Sequence, residues 1–192
     1  MNPVHDDLAE ERLWRRRSLV LGVVLLLLVS ALMARQSVWQ WWHGRDLIVH
    51  EVPQGASHDF GGGRWRLHAL RMAPLPPGRS IPENAMGVVA DFRVEVLDAD
   101  LATNWRGCLI SLEDPQGRRW RPTQALRLPR SDAQECVAAM YSGAKAGDTL
   151  RIRQAFLVPR DAAETLQPTL TMTPQQPRYL RFAQHPERVQ VQ

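Results

Sequence analysis

Between Val88 and Val96 the chain alternates in character. Val88, Ala90, Phe92, Val94 and Val96 are apolar, and Asp91, Arg93 and Glu95 stand between them. Successive side chains of a strand point to opposite faces, so this spacing predicts a half-buried strand. A parallel sheet buried on both faces would not carry those three charges, so the expected sheet is antiparallel. Weaker copies flank it. Arg64–Ala69 places Trp65, Leu67 and Ala69 inward, and Cys108–Leu112 places Cys108, Ile110 and Leu112 together. Asp114-Pro115-Gln116-Gly117 has proline and glycine where a tight turn wants them, and Arg118–Pro122 returns as the second arm of a hairpin. Thr149–Val158 is the next long strand, ended by Pro159. Leu47–Val52, Thr169–Met172 and Arg178–Phe182 complete a set of short strands separated by turn signals. That pattern predicts a β-sandwich over residues 46–183. Pro74–Pro82 reads as a stiff connector, and residues 184–192 as a polar, frayed tail.

A different pattern precedes the strands. Ser18–Ala34 is an unbroken apolar run without a charge. As a helix it rises about 25 Å, slightly short of the roughly 30 Å hydrocarbon core. Trp39, Trp41 and Trp42 extend it into an aromatic interface belt, and Arg35 can snorkel outward. Residues 18–42 are therefore expected to cross a membrane after a cytoplasmic tail, residues 1–17. Arg12, Arg15, Arg16 and Arg17 lie directly before the run and set the amino terminus inside and the following domain outside. Arg35 and Arg45 on the far side weaken that bias without reversing it. A cleaved signal peptide is the competing reading, with Val29-Ser30-Ala31 as its cleavage site. The long leading segment and the aromatic belt favour an anchor that is retained.

Charge and candidate chemistry refine this picture. The 192-residue chain has net charge +4, and Lys145 is its one lysine among 24 basic residues. The basic residues are not concentrated as a nucleic-acid surface requires, so nucleic acid is excluded as a partner. Cys108 and Cys136 are the only cysteines. Outside the cytoplasm a disulfide between them is the default, pinning the loop around Ser131–Glu135 to the sheet. His50, His58 and His68 with Met72 and Met86 have the side chains of a copper site, but their scatter favours surface histidines and core methionines. No metal-protease motif, nucleophile elbow or phosphate loop is present, so neither catalysis nor a cofactor is expected. Arg64 and Arg66 flank Trp65, Arg119 and Arg121 flank Trp120, and Arg151 and Arg153 flank Ile152. If these strands share a sheet, its outer face carries an arginine cluster. Such a face is either solvated, as the outward Asp91, Arg93 and Glu95 suggest, or a contact for lipid headgroups or an acidic envelope polymer.

The order of Gly61–Leu67, Val88–Val96, Leu112-Glu-Asp-Pro-Gln-Gly-Arg-Arg-Trp-Arg-Pro122, Ala146-Gly147-Asp148 and Phe156-Leu-Val-Pro-Arg-Asp161 resembles membrane-anchored or secreted bacterial immunoglobulin-like domains of unknown function. Their superfamily includes a small secreted mycobacterial antigen. The likeness covers residues 57–183; the cysteine pair and the long proline loop lie outside its pattern. It implies an all-β, immunoglobulin-like antiparallel sandwich outside the membrane and no catalytic residue. The expected role is a tethered, non-catalytic binding module for another envelope protein or an anionic envelope polymer. A structural subunit of a membrane complex and a secreted domain freed by cleavage are the alternatives.

Overall fold

A computed structural model describes residues 3–43, 45–76, 81–82, 84–126, 128 and 131–189. It divides into two units, residues 1–44 and 45–192. The first is one α-helix, α1 (Pro3–His43). Pro3 suits its first turn, where a missing N–H leaves no bond unmade. The helix thus starts well inside the segment expected as a tail. Its stretch from Trp14 to Val38 is long and apolar enough to cross a membrane, and every side chain there is exposed. At about 1.5 Å per residue that stretch exceeds the hydrocarbon thickness. The side chains of Trp39, Trp41 and Trp42 lie outside the described residues, as do residues 77–80 and 83 of the proline loop.

The second unit is a β-sandwich. Its described strands are β1 (Ile48–Val52), β2 (Ser57–Phe60), β3 (Gly63–Pro74), β4 (Ala85–Val96), β5 (Leu109–Glu113), β6 (Arg119–Trp120), β7 (Thr149–Pro159), β8 (Gln167–Thr171), β9 (Arg178–Phe182) and β10 (Glu187–Arg188). One sheet has the order β1-β9-β8-β5-β6. The other has the order β10-β3-β4-β7, with β2 also paired to β3. Short helices α2 (Leu101–Asn104) and α3 (Cys136–Ala139) interrupt the connections.

The expected register of the central strand holds. Val88, Ala90, Phe92, Val94 and Val96 are all buried, and Arg93 is exposed. Three expectations need correction. The sheets are not wholly antiparallel, because β1 runs parallel to β9 and β10 parallel to β3. The sandwich does not stop at residue 183: Gln184 is buried, and Val189 N–H donates to the Met72 carbonyl at 2.8 Å. Asp91 points outward yet is buried, because Arg71 and Arg153 from the neighbouring strands close over its carboxylate.

An aromatic seam joins the sheets. Phe92 of β4 meets Phe182 of β9 edge to face, with ring centroids 5.1 Å apart. On its own sheet it approaches Trp65 at 6.2 Å, and Trp65 packs on Trp105, just after α2, at 4.8 Å. Burial would leave both indole N–H groups unmade without partners. Trp65 Nε1 donates to the Phe60 carbonyl at 3.1 Å, and Trp105 Nε1 to the Gly61 carbonyl at 2.8 Å. Gly61 has φ +58°, and a Cβ there would collide with the Met172 side chain. Glycine is therefore required at this turn on both counts.

Phe92→Ala removes the ring that links both sheets. We expect a loss of roughly 3–5 kcal/mol in denaturant unfolding, the range for a buried aromatic. Arg93→Ala, one residue along on the outer face, should change stability by about 0.5 kcal/mol or less. Equal effects would contradict the register.

Candidate functional site

The sequence pattern nominates the outer face of the β3-β4-β7 sheet, and its geometry follows from register. β3 and β4 are antiparallel with Arg64 opposite Glu95, Arg66 opposite Arg93, and Ala69 opposite Asp91. Between Leu67 and Ala69 the register shifts, leaving His68 as the extra residue of a bulge. β7 continues the rows, with Arg151 opposite Arg93 and Arg153 opposite Asp91. Ser57 of β2 stands opposite Arg66 on the other side.

Ion pairs neutralise part of this face. Arg64 donates to Asp59 at 2.8 Å and to Glu95 at 3.2 Å. The hydrogen bond from Arg64, foremost, holds the Asp59 carboxyl below the ordinary carboxylate range. Asp91 binds both Arg71 and Arg153, and Arg153 also donates to the Ser131 hydroxyl at 3.2 Å. Arg151 pairs with Asp132 at 2.6 Å. Arg66 and Arg93 are exposed and have no acidic partner among the described residues.

Arg119 and Arg121 do not belong to this face, which corrects the expectation of one six-arginine cluster. Arg119 lies on β6 of the other sheet, and Arg121 follows it. Arg119 donates to the buried Glu113 at 3.0 Å and to Asp46 at 3.0 Å, and lies over the Tyr179 ring. Arg181 adds a second bond to Glu113 at 2.8 Å. These arginines satisfy a buried carboxylate. The alternating pattern could show which residues face outward, but not which sheet each strand joins.

The hairpin at Asp114–Gly117 forms as expected. The Asp114 carboxylate accepts the Gln116 and Arg118 backbone N–H groups at 3.0 and 2.8 Å, and Arg118 Nε at 2.6 Å. Burial pushes this carboxyl up, but the Arg118 bonds prevail and hold it below the ordinary range.

Of the arginines that flank the apolar stretch, only the Arg12 side chain lies outside the described residues. Arg15, Arg16, Arg17 and Arg35 are exposed on α1, as is Arg45 at the start of the second unit. The nominated copper residues are not brought together. Met72 and Met86 are buried in the core, and His68 is exposed in its bulge. His50 of β1 and His58 of β2 do meet, stacked with ring centroids 3.9 Å apart, a contact that sequence separation hid. Among the described residues no group of three or more His, Cys, Asp or Glu side chains is arranged to hold a metal ion.

Cys108 and Cys136 form the expected disulfide, 28 positions apart with Cα atoms 5.9 Å apart. Both are buried. The bond fastens α3 to the start of β5. A cleft of about 320 Å³ is lined by Thr123, Ser131, Gln134 and Glu135 together with Arg153 and Ala155 of β7. Thr123 N–H donates to the Ala155 carbonyl at 2.8 Å, and Gln134 exchanges backbone bonds with Arg151 and Arg153 at 2.9 Å each. These bonds cover part of an edge that would otherwise offer an open ladder.

No family model matches the chain, and no curated protein does. Among solved structures, a Bacillus subtilis protein described as a lipoprotein aligns with 11% identity and a TM-score of 0.37, over 59% of this chain. The chain spans 32% of that protein's length. An uncharacterised β-sandwich protein of Clostridium difficile aligns with 8% identity and a TM-score of 0.41, over 69% of this chain and 91% of its own.

Two predictions follow from this geometry. Burial, and secondly the charge of His50, lower the His58 pKa below its ordinary 6.5. The folded state then takes up fewer protons than the unfolded chain as pH falls through 6.5, so this group's contribution to stability declines on acidification below that value. In an NMR titration the His58 midpoint should lie below 6.5, and His50→Asn should raise it without restoring it fully. For the disulfide, Cys108→Ser and Cys136→Ser should each lower stability by about 3–4 kcal/mol, from the closed-loop entropy of the unfolded chain. The double variant should differ from either single by no more than a few tenths of a kcal/mol, because the three share one lost bond.

Proposed function

We propose that the chain is a single-pass membrane protein whose β-sandwich stands outside the cytoplasm as a non-catalytic binding module of the cell envelope. The observation that carries this reading is the pairing of two features: an apolar helix exposed on every side, and a β-sandwich with its own core and disulfide. A helix apolar all round is stable in lipid and costly in water. A disulfide persists in oxidising compartments and is rare in the cytosol, which supports an extracytoplasmic sandwich. The arginines before the apolar stretch favour a cytoplasmic amino terminus. The resemblance to immunoglobulin-like domains of unknown function agrees with a module that works through its loops and sheet faces.

Topology and processing are tested together. A reporter active only outside the cytoplasm, fused after Gln192, should be active. Replacing Arg15, Arg16 and Arg17 with glutamate should lower that activity, because Arg35 and Arg45 then dominate the charge bias. The membrane-bound chain should have its full intact mass. Activity only of a cytoplasmic reporter would contradict the orientation, and a mass lacking the first 31 residues would show a secreted domain instead.

A further inference from the structure

The outer face of the β3-β4-β7 sheet is not evenly neutralised. Among the described residues, six arginines (Arg64, Arg66, Arg71, Arg93, Arg151 and Arg153) share this face with five carboxylates, those of Asp59, Asp91, Glu95, Asp132 and, opposite Arg71 on β10, Glu187. The excess is confined to one row. Arg66, Arg93 and Arg151 stand directly opposite one another on three adjacent strands, with Ser57 at the row's end. Directly opposed side chains lie about 5 Å apart, and like charges there are destabilising. The rows on either side show the usual remedy, an acid beside each arginine: Arg64 lies between Asp59 and Glu95, and Arg153 stands opposite Asp91. In this row only Arg151 has one, Asp132 from the loop before α3.

We propose that Arg66 and Arg93 form a contact for the phosphates of anionic lipid headgroups. Two guanidinium forks side by side suit a phosphate, whose several oxygens can accept from both, better than a carboxylate, whose two oxygens one fork already satisfies. The row lies on an open sheet face, where an exposed pair holds a free ion weakly. A tether changes that arithmetic by raising the local concentration of the ligand. This chain carries a helix able to span a membrane, ending at His43, and strand β1 begins at Ile48. The inference rests on the reading that the helix remains in the bilayer.

The full chain, with its disulfide intact, is placed in nanodiscs of phosphatidylcholine or of phosphatidylcholine mixed with phosphatidylglycerol. Its intact mass is checked first. A spin label on Ser57→Cys reports proximity to a headgroup-bound relaxation agent. Proximity should appear in the anionic discs, weaken at high salt, and fall about thirtyfold as a docked-to-free ratio in Arg66→Gln/Arg93→Gln, at about fivefold per arginine near an anionic surface. Arg178→Gln, on the other sheet, should leave it unchanged. The double variant should melt at or above the parent temperature, since it removes opposed like charges. Equal proximity in both kinds of disc, insensitivity to the two substitutions, or a lowered melting temperature would overturn the proposal. So would strong binding of inorganic phosphate in phosphatidylcholine discs, which would assign the pair to a soluble phosphate. A processed mass lacking the helix would defeat the anchor reading itself; an intact chain with a silent label would defeat this inference alone.

Discussion

The contact of Phe92 with Phe182 holds the two sheets to a single core, and much of the remaining structure follows from accommodating it. Phe92 lies between Trp65 on its own sheet and Phe182 on the other, and Trp65 leans on Trp105. Burying two indoles obliges the nearby turn to present carbonyls, and Phe60 and Gly61 supply them. That turn in turn requires glycine at position 61. The short helix α2 brings Trp105 back to the seam, closed by an Asp100 side-chain cap on the Thr103 N–H. With the apolar side chains committed inward, the outer faces are left to arginines and carboxylates.

Features set by local period were legible in the sequence. The alternation in Val88–Val96 places Phe92 in the core, and the turn chemistry of Asp114–Gly117 yields the hairpin whose carboxylate caps its own loop. Features set by distant pairing were not. Asp91 looks like a solvated acid because its partners, Arg71 and Arg153, lie 20 and 62 positions away. Strand β10 is two residues long, too short to carry a period, and its partner strand lies more than a hundred positions earlier. The split of the arginines has the same origin: Arg119 and Arg151 alternate with apolar neighbours in the same way, yet one covers Glu113 and the other flanks Arg93. Alternation reports which way a side chain points, while sheet order decides what it meets.

The candidate site is thus narrower than the pattern suggested. Four of the six nominated arginines share a face, two of those have committed carboxylates on the same sheet, and Arg151 has one from a loop. What remains is the opposed pair Arg66 and Arg93, of which the flanking-arginine pattern named only the first. An uncompensated pair on an exposed sheet face contributes little to folding.

The central claim is that residues 45–192 form a self-contained sandwich, for which α1 is the proposed tether. Amide hydrogen exchange of the full chain in a bilayer, compared with the isolated oxidised segment 45–192, tests this directly. The account predicts the same protection across β3, β4 and β7 in both samples and one cooperative unfolding step of unchanged free energy. Loss of protection in those strands on removing the helix would contradict it and make the helix part of the fold.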